Sequence, residues 1–97
     1  MKASDSATIV VQHNAPEQRF ETTAEGRLAV ADYERSEGRM ILTYTFVPPE
    51  LRGKGIAEKL VRAALEHARA EKLRVVPACS YVATFIQRHA EYQPLLA

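Results

Sequence analysis

The strongest periodicity in the chain runs from Ile56 to about Glu71. Ile56, Leu60, Ala64 and Ala68 recur with helical spacing, flanked by Ala57, Val61 and Leu65, while Glu58, Arg62 and Glu66 fall on the opposite side. Glu58 precedes Arg62 at the favourable i,i+4 spacing, yet such a pair is worth only ~0.2–0.5 kcal/mol. Packing of the apolar row therefore decides whether this helix is stable. Upstream the period shortens to two. Leu28 and Val30 share one face of a strand, and Ala29, Ala31 and Tyr33 share the other. Arg39 to Val47 reads as a further strand, rich in β-formers at Tyr44, Thr45, Phe46 and Val47, until Pro48-Pro49 stops the ladder.

The remaining segments complete an order. Thr8 to Gln12 predicts a first strand, ended by Asn14-Ala-Pro16, and Arg19 to Thr23 a second. Ala24-Glu-Gly26 and Ser36-Glu-Gly38 supply tight turns, so the four strands form an antiparallel meander. Leu73 to Val76 predicts a fifth strand, stopped by Pro77, and the helix between makes it parallel to the fourth. A last helix spans roughly Tyr81 to His89. The pattern is ββββαβα: an α/β (α+β) layer of about five strands, in one domain over residues 1–97, with residues 1–6 frayed.

Bulk properties narrow the function classes. At 97 residues the chain should bury roughly 60–70% of its unfolded surface. A formal net charge of +1 makes no electrostatic case for nucleic acid or an anionic membrane. Cys79 is the single cysteine, so no internal disulfide is expected, and one Cys with three separated His residues does not read as a metal site. The first residues lack an apolar signal core and no segment reaches membrane-spanning length, so the expected location is cytoplasmic.

The junction between the fourth strand and the long helix carries the chemistry. Arg52-Gly-Lys-Gly-Ile-Ala57 places two glycines just before a helix N-terminus, where free backbone N–H groups can cradle a phosphate chain. It is not a Walker loop, which needs Gly-x-x-x-x-Gly-Lys followed by Ser or Thr. It is not the dinucleotide fingerprint either, because Glu58 stands where the third glycine belongs. A plain strand-to-helix turn with a solvated Lys54 and Arg52 is the bland alternative.

The same six residues resemble the Arg/Gln-x-x-Gly-x-Gly/Ala signature of the GNAT N-acetyltransferase superfamily. Together with Val47-Pro-Pro-Glu-Leu51 and Val75-Val-Pro-Ala-Cys-Ser-Tyr81, they resemble its small single-domain YjdJ-type branch, over most of the chain. The resemblance implies acetyl-CoA as co-substrate, an amine acceptor that is small or protein-borne, and fourth and fifth strands that splay apart. Backbone groups of Phe46 and Val47 would then hold the pantetheine arm, and amides from Arg52, Gly53, Lys54, Gly55, Ile56 and Ala57 the pyrophosphate, with Lys54 adding charge.

Cys79 lies at the start of the last helix, whose N-terminus favours a thiolate. By the resemblance it would face the acetyl thioester, as nucleophile or as a hydrogen-bonding wall; a buried inert thiol is the alternative. Two family features are missing. Relatives carry a Glu base on the fourth strand and often read His-Thr-Glu, where this chain reads Tyr44-Thr45-Phe46. Phe85 falls where the helical Tyr acid belongs, with Tyr81 one turn earlier as a substitute. Tyr44 itself reads as a core residue, and His67 and His89 as solvated helix positions. Two functions follow: an acetyl-CoA-dependent N-acetyltransferase, or a non-catalytic acetyl-CoA/CoA-binding module or sensor.

Overall fold

A computed structural model describes residues 9–97. Strands β1 (Gln12–Asn14), β2 (Arg19–Ala24), β3 (Arg27–Ser36) and β4 (Arg39–Phe46) precede helix α1 (Ile56–Glu71), strand β5 (Arg74–Pro77) and helix α2 (Ser80–Arg88). The five strands form one sheet in the order β1-β2-β3-β4-β5. Neighbours are antiparallel except β4 and β5, which run parallel as the helical crossover requires. The ββββαβα order and the mixed sheet are those the sequence predicts.

Boundaries shift where capping overrides composition. The predicted first strand, Thr8 to Gln12, is replaced by Gln12–Asn14; Thr8 and residues 1–6 lie outside the described residues. Pairing across the turn decides this, because His13 stands opposite Phe20 and Asn14 both ends the strand and accepts from the Glu17 amide at 3.3 Å. The fifth strand begins one residue later than predicted. The Leu73 amide bonds to the Ala68 carbonyl at 2.8 Å, so Leu73 closes α1 instead of opening β5. Pro77 then sits in the last pair, opposite Leu42, where a missing N–H matters least.

Both helices cover one face of the sheet. Ala31, Tyr33, Met40 and Leu42 from the strands meet Leu60, Ala64 and Ala68 of α1 and Val82 and Ile86 of α2 in one core. A buried leucine of this kind contributes ~1.5–3 kcal/mol.

The decisive irregularity is a bulge. Tyr33 pairs with Leu42 and Asp32 with Tyr44, leaving Thr43 without an opposite residue. The bulge shifts the alternation of β4 by one. Met40 and Leu42 face the core, but after the bulge Thr45 faces inward and Tyr44 and Phe46 turn outward. The expectation that Tyr44 belongs to the core is therefore wrong: it is 52% exposed. Beyond the bulge β4 also loses its β5 partner, since the last parallel pair is Leu42–Pro77.

Candidate functional site

Three segments converge where β4 parts from β5. The first is the loop into α1. Pro49–Leu51 form a short 3-10 turn that buries Leu51 in the core and fixes the loop's root. Gly53 and Gly55 then adopt φ of +83° and +78°. This left-handed region costs a residue with a side chain ~1–2 kcal/mol and glycine almost nothing. Gly55 occupies the cap position of α1 and brings no side chain to cap it. The opening amides of a helix have no intrahelical acceptor, so those of Ile56, Ala57 and Glu58 remain available, reinforced by the positive end of the helix dipole.

The second segment is the end of β4. The Arg52 Nε donates to the Val47 carbonyl at 2.9 Å and pins the loop across the strand end. The third is the N-terminus of α2, with Cys79 at its cap and Tyr81 in its first turn. A cavity of about 220 Å³ opens among them, lined by Arg52, Gly53 and Gly55 from the loop, Ile56, Ala57 and Glu58 from α1, and Val47, Leu51 and Tyr81.

Most of the predicted site residues therefore share one cavity, and three do not line it. Phe46 turns to the other face of the sheet with Tyr44. The Lys54 ammonium pairs at 3.4 Å with Glu25 in the β2–β3 turn, so its charge is shared. Cys79 sits behind the cavity at the apex of the splay. Its amide donates to the Leu42 carbonyl at 2.9 Å, which anchors the start of α2 to the last paired residue of β4.

The thiol of Cys79 is electronically distinct. Its Sγ lies 3.7 Å from the Thr45 hydroxyl, which the bulge has turned inward. Burial pushes the thiol pKa up, but the Thr45 hydroxyl and then the backbone N–H groups of Val82, Tyr81 and Thr45 pull harder, and the net shift is downward. The Tyr81 and Val82 amides face the sulfur without closing a formal capping bond, so their contribution is the field of the helix start. Tyr81 is 40% exposed, and burial, with the nearby charge of Glu58, raises its pKa. It keeps its proton at neutral pH while bordering the cavity. Phe85 is buried in the core under the Arg62 guanidinium, so the phenol that reaches this region is that of Tyr81.

Sequence reasoning missed Thr45 as a partner of Cys79, because nothing in the alternation announces the bulge. Glu58 pairs with Arg62 at 3.0 Å as its spacing predicts, and it also borders the cavity beside Tyr81. His67 and His89 are half-buried rather than freely solvated. His67 packs edge-on against His13 at 4.4 Å, and His89 stacks on Phe85 at 3.9 Å while its Nδ1 bonds to the Phe85 carbonyl. Among the described residues no group of three or more His, Cys, Asp or Glu is arranged to hold a metal ion, and no helix is long and apolar enough to cross a membrane.

Comparison with known proteins adds a family-level frame. Residues 19–95 match the family model described as GCN5-related N-acetyl-transferase. The chain is similar to Protein NATD1 of Bos taurus, 34% identical over 84 residues that cover 84% of this chain and 74% of that protein. NATD1 of Homo sapiens is 32% identical with the same two coverages, 84% and 74%. A GCN5-like protein from Staphylococcus aureus, solved in solution by NMR, superposes with a TM-score of 0.74 over 98% of this chain and 91% of its own, at 24% identity. At that identity the structural match speaks for the fold.

Proposed function

Since this chain belongs to the GCN5-related N-acetyltransferase family, we propose that it transfers the acetyl group of acetyl-CoA to an amine. The observation that carries the reading is the uncapped start of α1, opening through two left-handed glycines onto a cavity beside a length of β4 that has no β5 partner. This donor set fits a diphosphate ester: Arg52 and the amides of Gly53 to Ala57 would hold the phosphates. The β4 edge from Thr43 to Val47 offers backbone groups to an extended arm, in the manner of an added strand. Bound acetyl-CoA supplies an activated acetyl carbonyl and a thiolate leaving group.

The chain's own groups then divide the work. Tyr81, protonated at neutral pH and lining the cavity, would give its proton to a departing thiolate. Cys79, with its lowered pKa, serves either as a nucleophile that carries the acetyl group or as a wall that orients the thioester. The second reading, a CoA-binding module without turnover, draws on β4 itself, whose residues Arg39 to Phe46 include no carboxylate to act as base.

Melting curves with CoA test the premise both readings share. Ligand at a hundred times its Kd stabilises by ~2.7 kcal/mol, which raises Tm by roughly 10–20 °C in a domain this small. An unmoved melting curve would sink the proposal. Product from an amine panel separates enzyme from module. An acetyl adduct by intact mass that vanishes in Cys79→Ala assigns the nucleophile; turnover retained in Cys79→Ala excludes it.

A further inference from the structure

A hairpin turn is fastened across the loop that opens α1, by contacts that neither the core nor the cavity uses. Ala24 and Arg27 are register partners, so β2 and β3 are joined by two residues, Glu25 and Gly26. Both take positive φ, +53° and +74°, as a tight hairpin requires. Glycine does so freely; a glutamate there is held against its preference. Its carboxylate reaches Lys54, whose ammonium lies 3.4 Å from the Glu25 Oε2. A second pair starts from the same turn: the Arg27 guanidinium stands 3.6 Å from Glu50, in the 3-10 turn at the loop's root. Two ion pairs thus tie one turn to two points of the loop.

The pair at Lys54 competes with an anionic ligand. Lys54 stands between Gly53 and Gly55, which line the cavity, but it does not line the cavity itself. Its ammonium is engaged by a carboxylate at the rim of a site whose donors suit phosphates. The two side chains keep 35% and 48% of their surface in solvent. The bond is therefore an exposed one, of a strength that an arriving anion can replace. The Arg27–Glu50 pair does not involve Lys54, so it survives that replacement.

We propose that Glu25 gates the anion site: its carboxylate holds the Lys54 ammonium away from the cavity until a phosphate group of the ligand takes its place. The identity of that ligand rests on the acetyl-CoA reading above; the exchange of one anion for another does not. Glu25 is a positioning residue, which acts through Lys54 and touches no substrate. The Arg27–Glu50 pair keeps the turn docked during the exchange, so the gate closes again when the ligand leaves. One consequence is selectivity. A ligand must bring phosphate charge to replace the carboxylate, and a fragment without phosphate, such as pantetheine, leaves the gate shut.

The test is a calorimetric titration of the full chain with CoA at low ionic strength. It compares wild type, Glu25→Gln, Glu37→Gln, Lys54→Met and the Glu25→Gln/Lys54→Met double variant. Glu37 is a matched control: with Gly38 it forms the same two-residue turn, at φ of +53° and +79°, at the opposite end of β3. Glu25→Gln should tighten CoA about two- to fivefold, the worth of one exposed ion pair that binding no longer breaks. Glu37→Gln makes the same change in net charge and should leave the affinity as it is. In the Lys54→Met background, Glu25→Gln should have no effect. By NMR, saturating CoA should move the backbone signals of Glu25 and Gly26 in wild type, and pantetheine should not. Unchanged affinity in Glu25→Gln, equal gains in the two Glu→Gln variants, or a gain that persists without Lys54 overturns the inference. Failure of CoA to bind any of these proteins would instead sink the acetyl-CoA reading. The same proteins titrated with inorganic diphosphate then decide the gate by the same pattern.

Discussion

The two halves of β4 lie on one strand and do opposite work. Arg39 to Leu42 are held between β3 and β5, with Met40 and Leu42 fully buried beneath the helices. Past the bulge at Thr43 the strand keeps β3 and loses β5, one ring pair turns to solvent, and Thr45 turns to the only cysteine. The closed half spends its hydrogen bonds and apolar surface on stability. The open half leaves an edge and a cavity unsatisfied. The lesson is that a single inserted residue can divide one strand into a closed half and an open half, because it changes the facing where the pairing with β5 ends.

That contrast can be broken by substitution. The largest effect is expected in the closed half, where Leu42→Ala should cost ~2–5 kcal/mol in chemical denaturation. CoA affinity measured on the folded fraction should stay unchanged. Next comes a pair of glycines with nearly the same backbone. Gly55→Ala and Gly38→Ala each force a side chain into φ near +80°, and the added Cβ meets nothing within 4 Å at either site. Each should lose ~1–2 kcal/mol of stability, but only Gly55→Ala should also weaken CoA binding by calorimetry. Equal CoA affinity in the two variants would remove the loop from the site.

A smaller effect sharpens the open half. Thr45→Val removes the hydroxyl partner of Cys79, a bond worth ~0.5–1.5 kcal/mol, so the thiol pKa should rise. Iodoacetamide alkylation should then follow a pH profile displaced to higher pH, with a rate at neutral pH lower by a few-fold. An identical profile would mean the helix start alone sets the thiol.

The smallest effect lies at the far edge of the sheet, where His13 stacks on Phe20 at 4.3 Å and bonds to the Tyr33 hydroxyl at 2.6 Å. Burial first, then the charges of His67 and Arg35, lower the His13 pKa. The neutral form therefore stabilises the fold above the ordinary histidine value of about 6.5, and that contribution is lost as pH falls through the lowered value. Denaturation midpoints from about pH 7 to about pH 5 should drop less in His13→Gln than in wild type. CoA binding should follow neither.

Much of this was legible in the chain. The helical row from Ile56 to Ala68 gave α1 its limits, since burial of one face and nothing else sets that spacing. The glycines at 53 and 55 announced a loop only glycine can make, and the helix after them announced free amides. Arg52, Gly53, Gly55, Ile56, Ala57 and Tyr81 share a cavity, which Lys54 does not line. Tyr44 and Thr45 were not legible. Their facing depends on a residue without an opposite, and strand alternation read from sequence assumes there is none. His67 was misread for a related cause: its partners, His13 and Phe20, are more than forty residues away in the chain.

Sequence alone determined the element order, the parallel pair and the glycine loop that leads into α1 at Arg52–Ala57, because these follow from local periodicity, proline and glycine stereochemistry, and chain connectivity. Tertiary structure alone decided where β4 leaves β5, which side chains meet Cys79, and which way Tyr44 turns, because each depends on register between strands. Register is a property of pairs, and no single stretch of chain contains it.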